Sequence, residues 1–142
     1  QHNIRVGEIT AEKIKIAVGA VIPDLDEEPA PFIVRGPNLM TAHPVEAVMT
    51  HQEIAHWLDK SIAKIETSVL HVLEQTPPEL YSDIVDNGIF LSGGGALLRG
   101  LAQRFSEKVN IPFHVADDPL HSVARGTGVA LKNVNNFGFL IR

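Results

Sequence analysis

Cysteine is absent from all 142 residues, which excludes disulfides and thiolate metal sites and fits a reducing compartment, the cytoplasm by default. Basic clusters are absent too. With 12 Lys and Arg against 17 Asp and Glu, a formal charge of −5 and a pI near 5.8, the chain lacks the concentrated positive charge that a phosphate backbone demands, so a nucleic-acid partner is not expected. No apolar run approaches the ~18 residues needed to span a bilayer, and Gln1-His2-Asn3-Ile4-Arg5 has no signal-peptide pattern. Repeats and low-complexity tracts are missing, and an initiating Met is missing as well, which implies a piece excised from something longer.

What is present is a globular composition. At 44% hydrophobic residues and a mean hydropathy of +0.07, the chain can bury a core of its own, as one domain or a domain with a small lobe. The spacing of Ile9, Ile14, Ala17 and Val18 predicts a helix over 10–19 with Gly19 as its stop. Residues 23–31 are acidic and proline-rich and read as an exposed loop. Two short strands, 32–35 and 44–49, are expected to pair around Gly36-Pro37-Asn38. Thr50-His51-Gln52-Glu53 fits a capping box, after which Ile54, Leu58, Ile62, Ile65, Val69, Val72 and Leu73 follow at helical spacing until Pro77-Pro78. A short helix over 79–86, ended by Gly88, precedes a strand at 89–91, a helix running to about Val109, a strand at 113–116, and a last helix opened by Asp117 or Asp118 with Pro119 and running through Val134. Strand, helix, strand, helix at this spacing implies a parallel pair with a right-handed crossover.

The run Ile89-Phe90-Leu91-Ser92-Gly93-Gly94-Gly95-Ala96-Leu97-Leu98-Arg99-Gly100 carries the most chemistry. Backbone without side chains, directly after a strand and before a helix start, lets a flat or anionic ligand approach the main chain where free N–H groups point outward. It outlines a nucleotide site, although a tight strand-to-helix turn also needs glycine. Other chemistries fit less well. His51 and His56 are five apart and so fall on different helix faces, and no His/Asp/Glu cluster has metal-ligand spacing. Ser92 lacks the surrounding Gly-x-Ser-x-Gly of a hydrolase elbow. Trp57 reads as core or lobe packing, while Arg99 and Arg125 read equally as helix caps or as contacts between copies.

Several segments in order carry a family resemblance: residues 7–16, Val34-Arg35-Gly36-Pro37-Asn38-Leu39, Pro77-Pro78-Glu79-Leu80, Leu91 through Leu101, Ala116-Asp117-Asp118-Pro119-Leu120, and Val123-Ala124-Arg125-Gly126-Thr127-Gly128. Together, across essentially the whole chain, they resemble the C-terminal half of the MreB family, the bacterial actin homologues that determine rod shape. The acidic stretch 24–28 and the segment 43–51 depart from the family pattern. The resemblance implies an α/β, actin-like ATPase fold (ribonuclease H-like), of which this chain is the incomplete second domain. Residues 1–58 would form a smaller α+β subdomain and residues 59–142 the later part of the larger one. The family's phosphate loops and its catalytic Glu and Thr lie upstream and have no counterpart here. This chain alone is therefore not expected to hydrolyse ATP, whereas the complete protein would be a slow ATPase.

By the same resemblance, Gly93, Gly94 and Gly95 form the loop on which adenine and ribose lie, and Leu97 and Leu98 flank the base. Glu12 and Lys15, three apart on the first helix, offer a carboxylate for ribose hydroxyls and an ammonium for ribose or adenine. Apart from the resemblance, they read as an ordinary surface pair. Asp117-Asp118-Pro119 is expected to cap the last helix beside the base. The implied cofactor is ATP, with Mg joining the phosphates in the complete protein. The implied partners are further copies in a filament, the cell-wall synthesis machinery and the inner membrane surface. Alternatives are a non-filamentous relative in the actin–Hsp70–sugar-kinase superfamily, or an interaction module that binds no nucleotide.

Overall fold

The computed structural model describes residues 2–133, so the expected end of the last helix at Val134 lies outside the described residues. The first helix, α1 (Glu8–Val18), buries Ile14 and Val18, four apart and hence on one face. Ile9, expected on that face, is 76% exposed, because five residues of helix turn it well away from Ile14. The chain passes through the exposed acidic loop into an antiparallel hairpin of β1 (Phe32–Pro37) and β2 (Pro44–Met49), with Phe32 opposite Met49 and Pro37 opposite Pro44.

Gly36 and Pro37 therefore end β1 instead of forming the turn. The turn is made by Asn38, whose side-chain oxygen accepts from Met40 N at 2.8 Å and Thr41 N at 3.1 Å. A side chain at Gly36 would lie 2.6 Å from the Arg5 carbonyl oxygen, so this glycine serves the close passage of the N-terminal segment, where Arg5 N donates to Pro37 O at 3.0 Å.

Helix α2 (His51–Glu74) begins with the expected capping box: Thr50 and Glu53 exchange side-chain and backbone hydrogen bonds. Its buried positions are His51, Ala55, Ile62, Glu66 and Leu73; Ile65 and Val72, expected in the apolar stripe, are 48% and 64% exposed. Helix α3 (Pro78–Asn87) follows and buries no residue. Strands β3 (Ile89–Leu91) and β4 (Phe113–Val115) pair in parallel, Ile89 with Phe113, and α4 (Leu101–Val109) connects them. The Ser106 hydroxyl donates to Ala102 O and accepts from Phe113 N at 2.9 Å, which fastens α4 to β4.

Two expectations about helix starts are corrected. The glycine run does not open directly into α4. It forms a one-turn 3₁₀ segment, Gly94–Leu97, and the chain then breaks at Gly100, whose φ of +77° is left-handed. A Cβ at Gly100 would sit 2.4 Å from the Ile22 side chain, so both conformation and space demand glycine there. The last helix, α5 (Ser122–Lys132), starts after the Asp-Asp-Pro segment, and its N-cap, His121, makes no capping side-chain bond. Asp118 adopts φ +50° and turns its carboxylate to His121 Nδ1 at 2.9 Å.

Two apolar clusters hold these elements. One gathers Val21, Ile62, Leu101, Phe105 and Phe113; the other gathers Ile14, Val18, Val34 and Met49. Helix α2 feeds both, giving Ile54 to the second and Leu58 and Ile62 to the first. Polar cross-links accompany the first cluster. Arg104 on α4 reaches the buried Glu66 at 2.5 Å, Asp59 at 2.9 Å and the Val21 carbonyl oxygen at 2.9 Å, and the Glu66 carboxylate holds the guanidinium pKa above its ordinary value. Trp57, expected in the packing, is 40% exposed and stands edge-on to His2 with ring centroids 6.1 Å apart.

Candidate functional site

The residues named from sequence meet because the end of α1 is tied to the exit of the glycine turn. Val21 N donates to Arg99 O at 3.0 Å and Arg99 N to Gly19 O at 3.2 Å, an isolated parallel bridge between distant segments. The Arg99 guanidinium adds bonds to the Ile16 and Gly19 carbonyl oxygens, both at 3.4 Å, so it caps the C-terminus of α1. Arg125, its counterpart in the sequence reading, donates to the Asp117 carbonyl oxygen. At Gly19 a Cβ would meet the Lys15 carbonyl oxygen at 2.2 Å and the Leu98 side chain at 3.0 Å, so only glycine lets α1 end this close to the turn.

Between α1 and the glycine turn lies a cleft of about 370 Å³. Five of the expected site residues line it: Glu12, Lys15, Gly94, Leu97 and Leu98. Two do not. Gly95 faces a smaller apolar pocket bounded by Ile62, Leu91 and Phe105. Gly93 is not on the wall; its φ of +82° and its N–H bond to the Pro119 carbonyl oxygen at 2.7 Å shape the turn and hold the 117–120 segment beside it. A Cβ on Gly94 would meet Leu120 at 3.3 Å, so the bare backbone at this position keeps the cleft open.

The walls include two residues that sequence reasoning missed, Ile16 and Leu120. Ile16 lies four residues from Glu12 on the same helix face, a signal that was available. Leu120 is brought in by the Gly93–Pro119 hydrogen bond, which no local pattern announces. Ile16, Leu97 and Leu120 are 68%, 54% and 61% exposed, three apolar side chains bordering one cleft with a backbone floor. That is a surface for a flat, partly apolar ligand.

Polar chemistry comes from α1. Lys15 Nζ lies 2.7 Å from Glu12 Oε2 with both side chains about half exposed, the surface pair that the residues alone suggested. Such a pair is worth little by itself, so a ligand that bonds both groups displaces it at small cost. Asp117 and Asp118 are not on the wall, and their capping role is replaced by the His121 contact, which holds the Asp118 carboxyl below the usual carboxylate range. Among the described residues no group of three or more His, Asp and Glu could hold a metal ion, and no helix is long and apolar enough to cross a membrane.

Residues 1–138 match the family model of the MreB/Mbl proteins. The chain is 41% identical over 135 residues to the cell shape-determining protein Mbl of Bacillus subtilis, covering 95% of this chain and 40% of that protein. It is 43% identical over 133 residues to the cell shape-determining protein MreB of Escherichia coli, covering 94% of this chain and 38% of that one. Among solved structures, MreB5 of Spiroplasma citri bound to AMPPNP superposes with a TM-score of 0.88 at 34% identity, over 96% of this chain and 40% of that one. The chain thus spans about two fifths of the length of the relatives it matches.

Proposed function

Because this chain belongs to the MreB/Mbl protein family and has the α/β fold of part of an actin-like ATPase, we propose that it supplies the adenosine-binding half of a nucleotide cleft. The observation that carries this reading is the convergence of Glu12, Lys15, Gly94, Leu97 and Leu98 on one cleft. ATP or ADP brings a planar base, a ribose and a charged tail. The base lies on the Gly94 backbone between Leu97, Leu98 and Leu120, Glu12 accepts from ribose hydroxyls, and Lys15 donates to ribose or base. Gly93 and Gly95 act through the shape of the turn. The phosphates, and Mg with them, belong to parts of the family's length outside this chain, so no hydrolytic step is assigned to these residues.

In a complete protein of the family's length, nucleotide touching both domains would favour their closed arrangement, since a ligand shifts the population toward the state it binds better. That arrangement would polymerise with further copies into cytoplasmic, membrane-associated filaments that direct cell-wall synthesis. Residues 1–58 and 59–142 would be the small and large subdomain portions of this half.

Calorimetric titration of the chain with ADP tests the site. Binding weakened about tenfold or more by Glu12→Ala, and strongly by Leu97→Asp, is expected, since a bond to a charged group and the apolar wall would be lost. ADP binding indifferent to both substitutions would contradict the assignment. Co-sedimentation of a protein of the full family length with ATP tests the filament: a pellet is expected with ATP, and a supernatant monomer under polymerising conditions would contradict it.

A further inference from the structure

Alongside the nucleotide cleft, and sharing Lys15 of α1 with it, lies a larger cavity, of about 480 Å³. Its walls come from the N-terminal segment, α1, the hairpin and α2, with Ile4, Ile14, Met49, Ile54, Trp57 and Leu58 as the apolar lining. The polar lining residues are His2, Asn3 and Lys15, so two basic nitrogens and no carboxylate border the space. Both nitrogens are held by acids outside the lining, His2 by Glu53 at 2.9 Å and Lys15 by Glu12 at 2.7 Å. An incoming anion competes with Glu12 for Lys15, in a half-exposed pair that is weak, while the less exposed His2–Glu53 pair stays in place.

Lys15 and Leu98 also line the nucleotide cleft, so the two spaces share a charged group and a wall. From this juxtaposition we infer that the cavity is an effector site for a small aromatic molecule carrying one acidic group, and that its occupancy weakens nucleotide binding. The aromatic body takes the apolar lining and the acid takes Lys15. A single ammonium cannot face both ligands at full strength, so the coupling is negative, and by linkage nucleotide weakens the effector by the same factor. The coupling rests on the nucleotide reading of the cleft; the cavity itself does not.

Trp57 is the sole tryptophan of the chain, which makes the cavity self-reporting. The probe is 1-anilinonaphthalene-8-sulfonate, an aromatic anion that accepts energy from tryptophan. Saturable one-to-one transfer from Trp57 to the probe is expected, lost on filling the cavity with Ala11→Phe and weakened by Val6→Asp, a substitution at a residue 38% exposed that adds repulsion without disturbing a core. Transfer unchanged in both variants would place the probe on exposed apolar surface and overturn the site. Added ADP should weaken the probe about fivefold or more. Trp57-dependent probe binding that is insensitive to saturating ADP would overturn the coupling, whereas failure of ADP to bind at all would sink the nucleotide reading and leave the cavity site standing.

Discussion

Helices α4 and α5 are similar in length, nine and eleven residues, yet α4 buries Leu101 and Phe105 while α5 buries nothing. Both sequences place apolar residues at helical spacing. The difference lies in what each helix meets. Helix α4 crosses between two paired strands and is fastened by Ser106 and Arg104, whereas Val123 and Leu131 of α5 are 76% and 70% exposed. Amphipathic patterning says which face a helix would bury, and only a partner surface decides whether it does. In α5 a Cβ on either Gly126 or Gly128 would meet nothing within 4 Å among the described residues, which again sets this helix apart from α4.

The largest effect expected is from Phe105→Ala, which empties the centre of the first cluster. A loss of about 3–5 kcal/mol should appear in denaturant unfolding, and a loss under 1 would break the contrast with α5. Next is Arg104→Ala, which leaves Glu66 buried without its partner; about 3 kcal/mol is expected, with the combined Arg104→Met, Glu66→Leu variant recovering much of it. A third helix sets the scale of a charge at a helix start. Replacing Glu53 with Gln at the start of α2 keeps a capping-box partner but removes the carboxylate that meets the helix N-terminus and His2, and should cost about 0.5–1 kcal/mol at neutral pH. His2 and the Thr50 backbone hold the folded-state Glu53 pKa below its ordinary value, so this contribution is present above the ordinary carboxylate range and lost as pH falls through the lowered value. The difference between wild type and variant should therefore shrink in acid, as measured by unfolding at several pH values. Smallest is Val123→Ser on α5, expected to stay within about 0.5 kcal/mol; a larger loss would mean that α5 is packed after all.

Local rules made much of the architecture legible. The Thr50–Glu53 capping box, the hairpin pairing and the parallel β3–β4 pair follow from residue type and spacing, and all appear. Features set by distant neighbours were not legible. Glu66 sits in the apolar stripe of α2 because Arg104 arrives from another helix, and Gly100 breaks the chain before α4 because Ile22 occupies the space a side chain would need. The candidate site divides in the same way. Glu12 and Lys15 share a helix face by spacing, while their approach to Gly94 and Leu98 depends on the Gly19–Arg99 and Val21–Arg99 hydrogen bonds between segments far apart in sequence.

The proposed assignment of the cleft to adenosine is tested most directly by backbone amide spectra of the isotopically labelled chain titrated with ADP. Saturable shifts should concentrate at Glu12, Lys15, Ile16, Gly94, Leu97, Leu98 and Leu120, the residues that line the cleft. An unshifted glycine turn, or shifts gathered on α3 and α5 instead, would contradict the account.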